Sequence, residues 1–101
     1  MEYYRPLPKF LTIEKSKIEG LGLFAAQNIK EGIDLGLSHI EDWNFPDKYI
    51  RTPLGGFINY SDTPNTCIKE YVGGYMHLWT IENIREGEEL TLKYNLYNPT
   101  K

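Results

Sequence analysis

Apolar and polar positions alternate along this chain in short runs instead of recurring at helical spacing, and a period of two predicts a mostly β fold with little helix. "FLTIEKS" (Phe10–Ser16) reads as a first short strand and "LGLFAA" (Leu21–Ala26) as a second. "GIDLGLSHI" (Gly32–Ile40) reads as a third, interrupted at Gly36, because a glycine inside a strand pattern marks a bulge or break. "EDWNFPDKYIRTP" (Glu41–Pro53) holds two prolines and no clear period, which predicts a loop with one helical turn at Asp47–Arg51. The best-determined element follows. "TCIKEYV" and "YMHLWTI" flank Gly73-Gly74, a two-residue connection suited to a tight hairpin, where positive φ is required. In the second arm Tyr75, His77, Trp79 and Ile81 share one side and Met76, Leu78 and Thr80 the other. Both sides are largely apolar, so the strand is expected to be covered on both. His77 has no second histidine near it in sequence and reads as a packed or hydrogen-bonded core residue rather than a metal ligand.

An internal echo connects two of these regions. "NIKEGIDLGL" (Asn28–Leu37) and "NIREGEELTL" (Asn83–Leu92) share Asn-Ile-basic-Glu-Gly, each between apolar strands. This is turn chemistry: Asn is expected to bond its own backbone and Gly to adopt a left-handed conformation. Two copies 55 residues apart do not tile the chain, which excludes a solenoid.

Composition narrows the classes. At 101 residues the chain is the size of one domain, and fifteen glycines and prolines with eight tyrosines reinforce the β reading. Net charge is −3, with six acids against two bases over residues 31–62. No basic stripe of the kind nucleic-acid binders carry is present, and the acidic middle reads first as a solvated face. Cys67 is the only cysteine, so neither a disulfide framework nor a cysteine-built zinc site can form within one chain. No apolar run approaches the ~20 residues of a membrane helix, and "MEYYRPLPKF" lacks a signal-peptide layout, so a soluble, intracellular protein is expected.

One stretch does not fit an ordinary loop. In "GGFINYSDTPNT" (Gly55–Thr66) two glycines and an apolar pair, Phe57 and Ile58, introduce a run of polar and turn-forming residues headed by Asn59. Three further features stand in order around it: Gly20-Leu21-Gly22 followed by Phe24 and Ala25, the second basic-Glu-Gly turn, and "GEELTLKY" ending at Tyr94. A lone Gly-x-Gly is weak, since it lacks the third glycine and the helix of a dinucleotide site. As an ordered set, however, the motifs resemble the SET domain of protein lysine methyltransferases. There a "GxG" with an aromatic and alanine precedes an "NHSxxPN" loop, here "NYSDTPN", and a closing "GEELTxxY". The resemblance runs from about Thr12 to Tyr97 and is strongest to small stand-alone members of viruses and microbes.

The resemblance implies a β-clip-like fold of several small sheets, with a C-terminal segment threaded beneath a loop as a pseudoknot. It implies S-adenosylmethionine as cofactor and a protein lysine entering from the opposite face through a narrow channel. Carried over by position, Gly20, Leu21 and Gly22 line the methionine part of the cofactor through their backbone. Asn59 bonds its amino-acid end, the main chain of Tyr60 holds the adenine, and Tyr94 stands at the methyl-transfer point. Phe57, Trp79 and Tyr97 are candidates for the channel wall, and Tyr97 for its lid. Homodimerisation is also implied by the small relatives.

Three departures bear on activity. The family's histidine after Asn is Tyr60 here, so a larger ring must find room. Only 36 residues lie between Gly22 and Asn59, leaving almost none of the insert that shapes the substrate groove in relatives. The cysteine-rich segment that follows the domain in many relatives is absent, and "NLYNPTK" alone follows Tyr94. The alternative to an enzyme is therefore a SET-like binding or assembly module without turnover.

Overall fold

A computed structural model of the chain describes residues 7–46 and 48–93. Eight short strands and one helical turn follow in the order β1 (Leu11–Lys15), β2 (Leu21–Ala25), β3 (Asp34–Glu41), β4 (Tyr49–Arg51), α1 (Pro53–Gly56), β5 (Asn59–Tyr60), β6 (Thr66–Tyr71), β7 (Tyr75–Thr80) and β8 (Glu89–Leu92). They form two four-stranded sheets, ordered β1-β2-β8-β5 and β4-β3-β7-β6. The mostly β fold of several small sheets expected from the sequence is therefore present. All pairings are antiparallel except β5 with β8, which run parallel with Asn59 opposite Thr91 and Tyr60 opposite Leu92. No helix among the described residues is long and apolar enough to cross a membrane.

Both sheets feed one core. Leu23, Leu90 and Leu92 from the first meet Leu35 and Leu78 from the second, with Leu54 and Ile58 closing one side and Ile29 and Ile84 another. Each such side chain contributes about 1.5–3 kcal/mol when fully removed from water.

The two echoed turns lie face to face. Ile29 and Ile84 form an antiparallel bridge, each N–H 2.7 Å from the other's carbonyl. Gly32 and Gly87 take φ of 80° and 89°, the left-handed conformation the sequence predicts. The asparagines do not bond their own turns. Asn28 Oδ1 accepts from the Glu86 N–H (2.8 Å) and Asn83 Oδ1 from the Glu31 N–H (2.9 Å), so each caps the opposite copy. The echo is thus a two-fold clasp between turns distant in sequence, which spacing alone could not disclose.

Four expectations about local structure change. The segment expected to hold a helical turn at Asp47–Arg51 instead contributes β4, because Tyr49, Ile50 and Arg51 pair with Glu41, Ile40 and His39; Asp47 itself lies outside the described residues. The helical turn comes just after, where Pro53 can occupy its first position without needing an N–H partner. The hairpin turn is three residues, Val72-Gly73-Gly74, since Tyr71 still pairs with Tyr75; both glycines have positive φ, and Val72 is 98% exposed. Finally, β7 is covered on one face only. Met76, Leu78 and Thr80 are buried, whereas Tyr75 and Ile81 are exposed and His77 and Trp79 half-exposed. His77 stacks on Tyr71 at 4.5 Å and meets Asp34 Oδ1 at 3.0 Å, so it is hydrogen-bonded but on the outer face. Gly36 does interrupt β3, as a register shift against β7 with φ of 123°.

Candidate functional site

Ser16 begins the site. Its N–H bonds the Gly20 carbonyl at 2.7 Å and its Oγ accepts from the N–H groups of Ile18 (2.8 Å) and Glu19 (3.3 Å), closing a tight turn between β1 and β2. Gly20 completes that turn with φ of 46°, and a Cβ there would meet nothing within 4 Å; its role is conformational. Leu21 is exposed and presents its carbonyl toward Asn59.

Gly22 is different. It is buried, and a Cβ built on it would fall 2.2 Å from Glu89 Oε2 and 3.0 Å from the Ser16 Cβ. Glu89 starts β8, opposite Phe24 of β2, and its half-buried carboxylate lies across the bare Cα of Gly22. The Ser16 hydroxyl donates to it, 2.8 Å from Oε1 and 2.9 Å from Oε2. Asn59, reached through the parallel pairing of β5 with β8, donates from Nδ2 to Glu89 Oε2 at 2.8 Å. The same Nδ2 lies 3.1 Å from Ser16 Oγ, 3.1 Å from the Glu19 carbonyl and 3.3 Å from the Leu21 carbonyl. The Gly20–Gly22 turn and Asn59, with 36 residues between them, therefore meet on one acceptor-rich cluster with a carboxylate at its centre.

The rest of the polar loop serves β8. Asn65 donates from Nδ2 to the Glu89 carbonyl (3.0 Å) and accepts on Oδ1 from the Thr91 N–H (2.8 Å), so its amide pairs with β8 as a further strand would. The Thr66 hydroxyl adds a bond to the Thr91 carbonyl at 2.7 Å. Ser61 is turn chemistry as expected, its Oγ accepting from the Thr63 N–H at 3.0 Å. Tyr60 finds its room outside: its ring is 43% exposed and its hydroxyl donates to Asp62 Oδ1. That hydrogen bond, then partial desolvation, then the nearby carboxylate charge raise the phenol above its usual value. The Tyr60 main chain remains in the pairing with Leu92, so the ring does not intrude on the site.

Gly55 and Gly56 separate. A Cβ on Gly55 would sit 2.2 Å from the Ser38 carbonyl oxygen, so close backbone approach requires glycine there; at Gly56 nothing lies within 4 Å. Of the channel candidates, Phe57 is half-buried, while its neighbour Ile58 belongs to the core. Trp79 lies on the outer face of β7 beneath the Lys69 ammonium, 4.0 Å from the ring centroid. Its Nε1 is buried without a partner among the described residues. Neither Phe57 nor Trp79 has a hydrogen bond or ring contact with the Asn59 cluster among those residues. Tyr94, Tyr97 and the expected C-terminal pseudoknot segment lie outside the described residues. Among the described residues no three acidic, histidine or cysteine side chains come together as a metal site.

Sequence reading missed Ser16, Glu89 and Asn65 as site residues. A signal for Glu89 was present in "GEEL", which offers two adjacent glutamates, but only strand register distinguishes them. Glu88 turns back to accept the Arg85 N–H at 2.6 Å, while Glu89 reaches Gly22.

Among solved structures of similar shape is a candidate histone methyltransferase of Plasmodium falciparum, with a TM-score of 0.73 at 23% identity, covering 89% of this chain and 96% of that one. Another is the methyltransferase domain of human PR domain-containing protein 2, with a TM-score of 0.69 at 17% identity, covering 88% of this chain and 79% of that one. At such identities the likeness is one of fold. No curated protein sequence matches the chain. Residues 33–95 match the SET domain family, a span that includes Asn59 and Glu89 and exceeds half the chain. The protein belongs to the SET-domain family.

Proposed function

We propose that the protein is a methyltransferase that uses S-adenosylmethionine and acts on a lysine side chain of a protein substrate. The observation that carries this reading is the meeting of the Gly20–Gly22 turn, Asn59 and Glu89 in one half-buried cluster, in a chain of the SET family. The donor set fits the cofactor: two backbone carbonyls, an amide and a carboxylate favour a ligand that carries positive charge and N–H donors. When bound, S-adenosylmethionine supplies a methyl group on a cationic sulfur, open to in-line attack by an amine.

In this reading the chain's own residues bind, orient and exclude water. The Asn59 side chain and the Leu21 carbonyl hold the amino-acid end, and the Tyr60 main chain, fixed by pairing with Leu92, meets the adenine. Tyr94, two residues beyond the end of β8, orients the acceptor amine; alignment in a site shielded from water supplies most of the rate. The attacking lysine must be neutral, although its reference pKa is about 10.4, and apolar walls beside a cationic neighbour favour the neutral form.

Calorimetry with S-adenosylmethionine and its demethylated product tests the site. Micromolar binding that Asn59→Ala abolishes is expected; no binding by the intact protein refutes the assignment. Labelled cofactor with mixed basic proteins then tests transfer. Tyr94→Phe should hold cofactor affinity within a few-fold while reducing transfer, and cofactor binding with no transfer to any protein would leave a binding module in place of an enzyme.

A further inference from the structure

We infer that Glu89 is a positioning residue of this site, which turns the Asn59 amide so that its oxygen faces the ligand and thereby makes the site selective for an ammonium group. The inference rests on the cofactor reading above. It begins with the amide itself. Glu89 Oε2 and the carbonyls of Glu19 and Leu21 surround Nδ2, and all three can only accept. The fourth neighbour, Ser16 Oγ, directs its proton to Glu89. A flipped amide would set Oδ1 against these acceptors, so Nδ2 points inward and Oδ1 is presented to the ligand side. No hydrogen bond of Oδ1 occurs among the described residues.

Of the four neighbours Glu89 is the nearest, at 2.8 Å, and the only charged one. A charge-assisted bond of this kind is stronger than its neutral counterparts and dominates the choice of orientation. Glu89 is itself prevented from moving. Ser16 holds both its oxygens, Gly22 leaves the space it occupies, and its backbone is paired with Phe24 on one side, while on the other Asn65 Nδ2 donates to its carbonyl. An outward Asn59 oxygen, with backbone carbonyls and a carboxylate behind it, favours a primary ammonium and disfavours a carboxylate or a neutral acceptor. The amino end of an α-amino acid is the group that matches.

The test compares two ligands. S-adenosylmethionine carries the ammonium, and 5′-methylthioadenosine lacks the amino-acid end. Glu89→Gln keeps the shape but gives the Asn59 amide a partner that can donate or accept, so its orientation is no longer unique. Calorimetry should show S-adenosylmethionine weakened about ten-fold or more, and methylthioadenosine unchanged within two-fold. In an Asn59→Ala background Glu89→Gln should have no further effect. Ser16→Ala, which loosens the carboxylate without removing it, should give a smaller loss with the same ligand selectivity. Equal weakening of both ligands, or of neither, overturns the inference, as does additivity with Asn59→Ala.

A ligand-free measurement separates this inference from the cofactor reading. In the intact protein the Asn59 side-chain NH2 should give two well-separated, exchange-protected NMR resonances that converge in Glu89→Gln. If they do so while the intact protein binds no S-adenosylmethionine, the cofactor reading fails and the orienting role stands. If they do not change, Glu89 does not orient Asn59.

Discussion

The tightest structural prediction concerns Gly22→Ala. An added Cβ would fall 2.2 Å from Glu89 Oε2, 2.9 Å from its Cδ and 3.0 Å from the Ser16 Cβ. A carboxylate at the end of a flexible side chain could ordinarily swing away at little cost. Here it cannot do so without giving up the Ser16 hydroxyl at 2.8 and 2.9 Å and the Asn59 amide at 2.8 Å. Hydrogen bonds to charged groups are worth about 1.5–3 kcal/mol each, and partial exposure puts these toward the low end. Against that stands a gain of about 0.4–1 kcal/mol from stiffening the unfolded chain, since Gly22 has no positive φ that alanine would resist. The net expectation is a loss of about 2 kcal/mol. Urea denaturation should show a lower midpoint at unchanged slope. The decisive arm is Glu89→Ala, in which the two nearest obstructing atoms are gone and only the Ser16 Cβ remains, at 3.0 Å. In that background Gly22→Ala should be neutral or slightly stabilising, giving a coupling energy of about 2 kcal/mol in the double-mutant cycle. Equal costs in both backgrounds would falsify the assignment of Gly22 to Glu89.

Three further outcomes are expected. Gly55→Ala should cost about 2–3 kcal/mol or prevent folding, because the new Cβ meets the Ser38 backbone oxygen at 2.2 Å; Gly56→Ala, with open space around it, should stabilise by about 0.4–1 kcal/mol, and thermal melts of the pair check both. Asn65→Ala should cost about 2–3 kcal/mol in urea titration, since it strands the Thr91 N–H in a strand residue only 9% exposed; a change under about 0.5 kcal/mol would refute that role. Tyr60 should ionise above the usual tyrosine value of about 10 and return toward it in Asp62→Asn, as followed by NMR of the ring. Because the folded-state value is raised, any stability it lends is complete below the unfolded value and is lost as pH rises through the folded one; a Tyr60 that titrates identically in both proteins excludes the Asp62 bond as the cause.

Much of this was legible in the chain. Alternating apolar positions marked β1, β2, β3, β6 and β7, and the left-handed glycines of the echoed turns followed from Glu-Gly sequences, because backbone sterics at glycine are local. Motif order disclosed the family and pointed to Gly20–Gly22 and Asn59. What failed were properties set by distant neighbours. Tyr49–Arg51 lacks an intrinsic strand pattern and becomes β4 because β3 offers it an edge. The row Tyr75, His77 and Trp79 is as apolar as a covered face, yet among the described residues only side chains of the neighbouring strand, Tyr71 on His77 and Lys69 on Trp79, lie over it; hydrophobicity tells what could be buried, and only packing decides which face is.

The same division runs through the site. Sequence alone determined that a SET-type loop with Asn59 exists and that Tyr60 departs from the family pattern. Tertiary structure decided what each residue meets. The parallel pairing of β5 with β8 joins segments 30 residues apart and brings Asn59 beside Glu89. Strand register then selects Glu89 over Glu88, and Gly22 must lack a side chain because that carboxylate fills the space. Local propensity cannot encode this, since a hydrogen bond between residues 59 and 89 exists only once two strands have met.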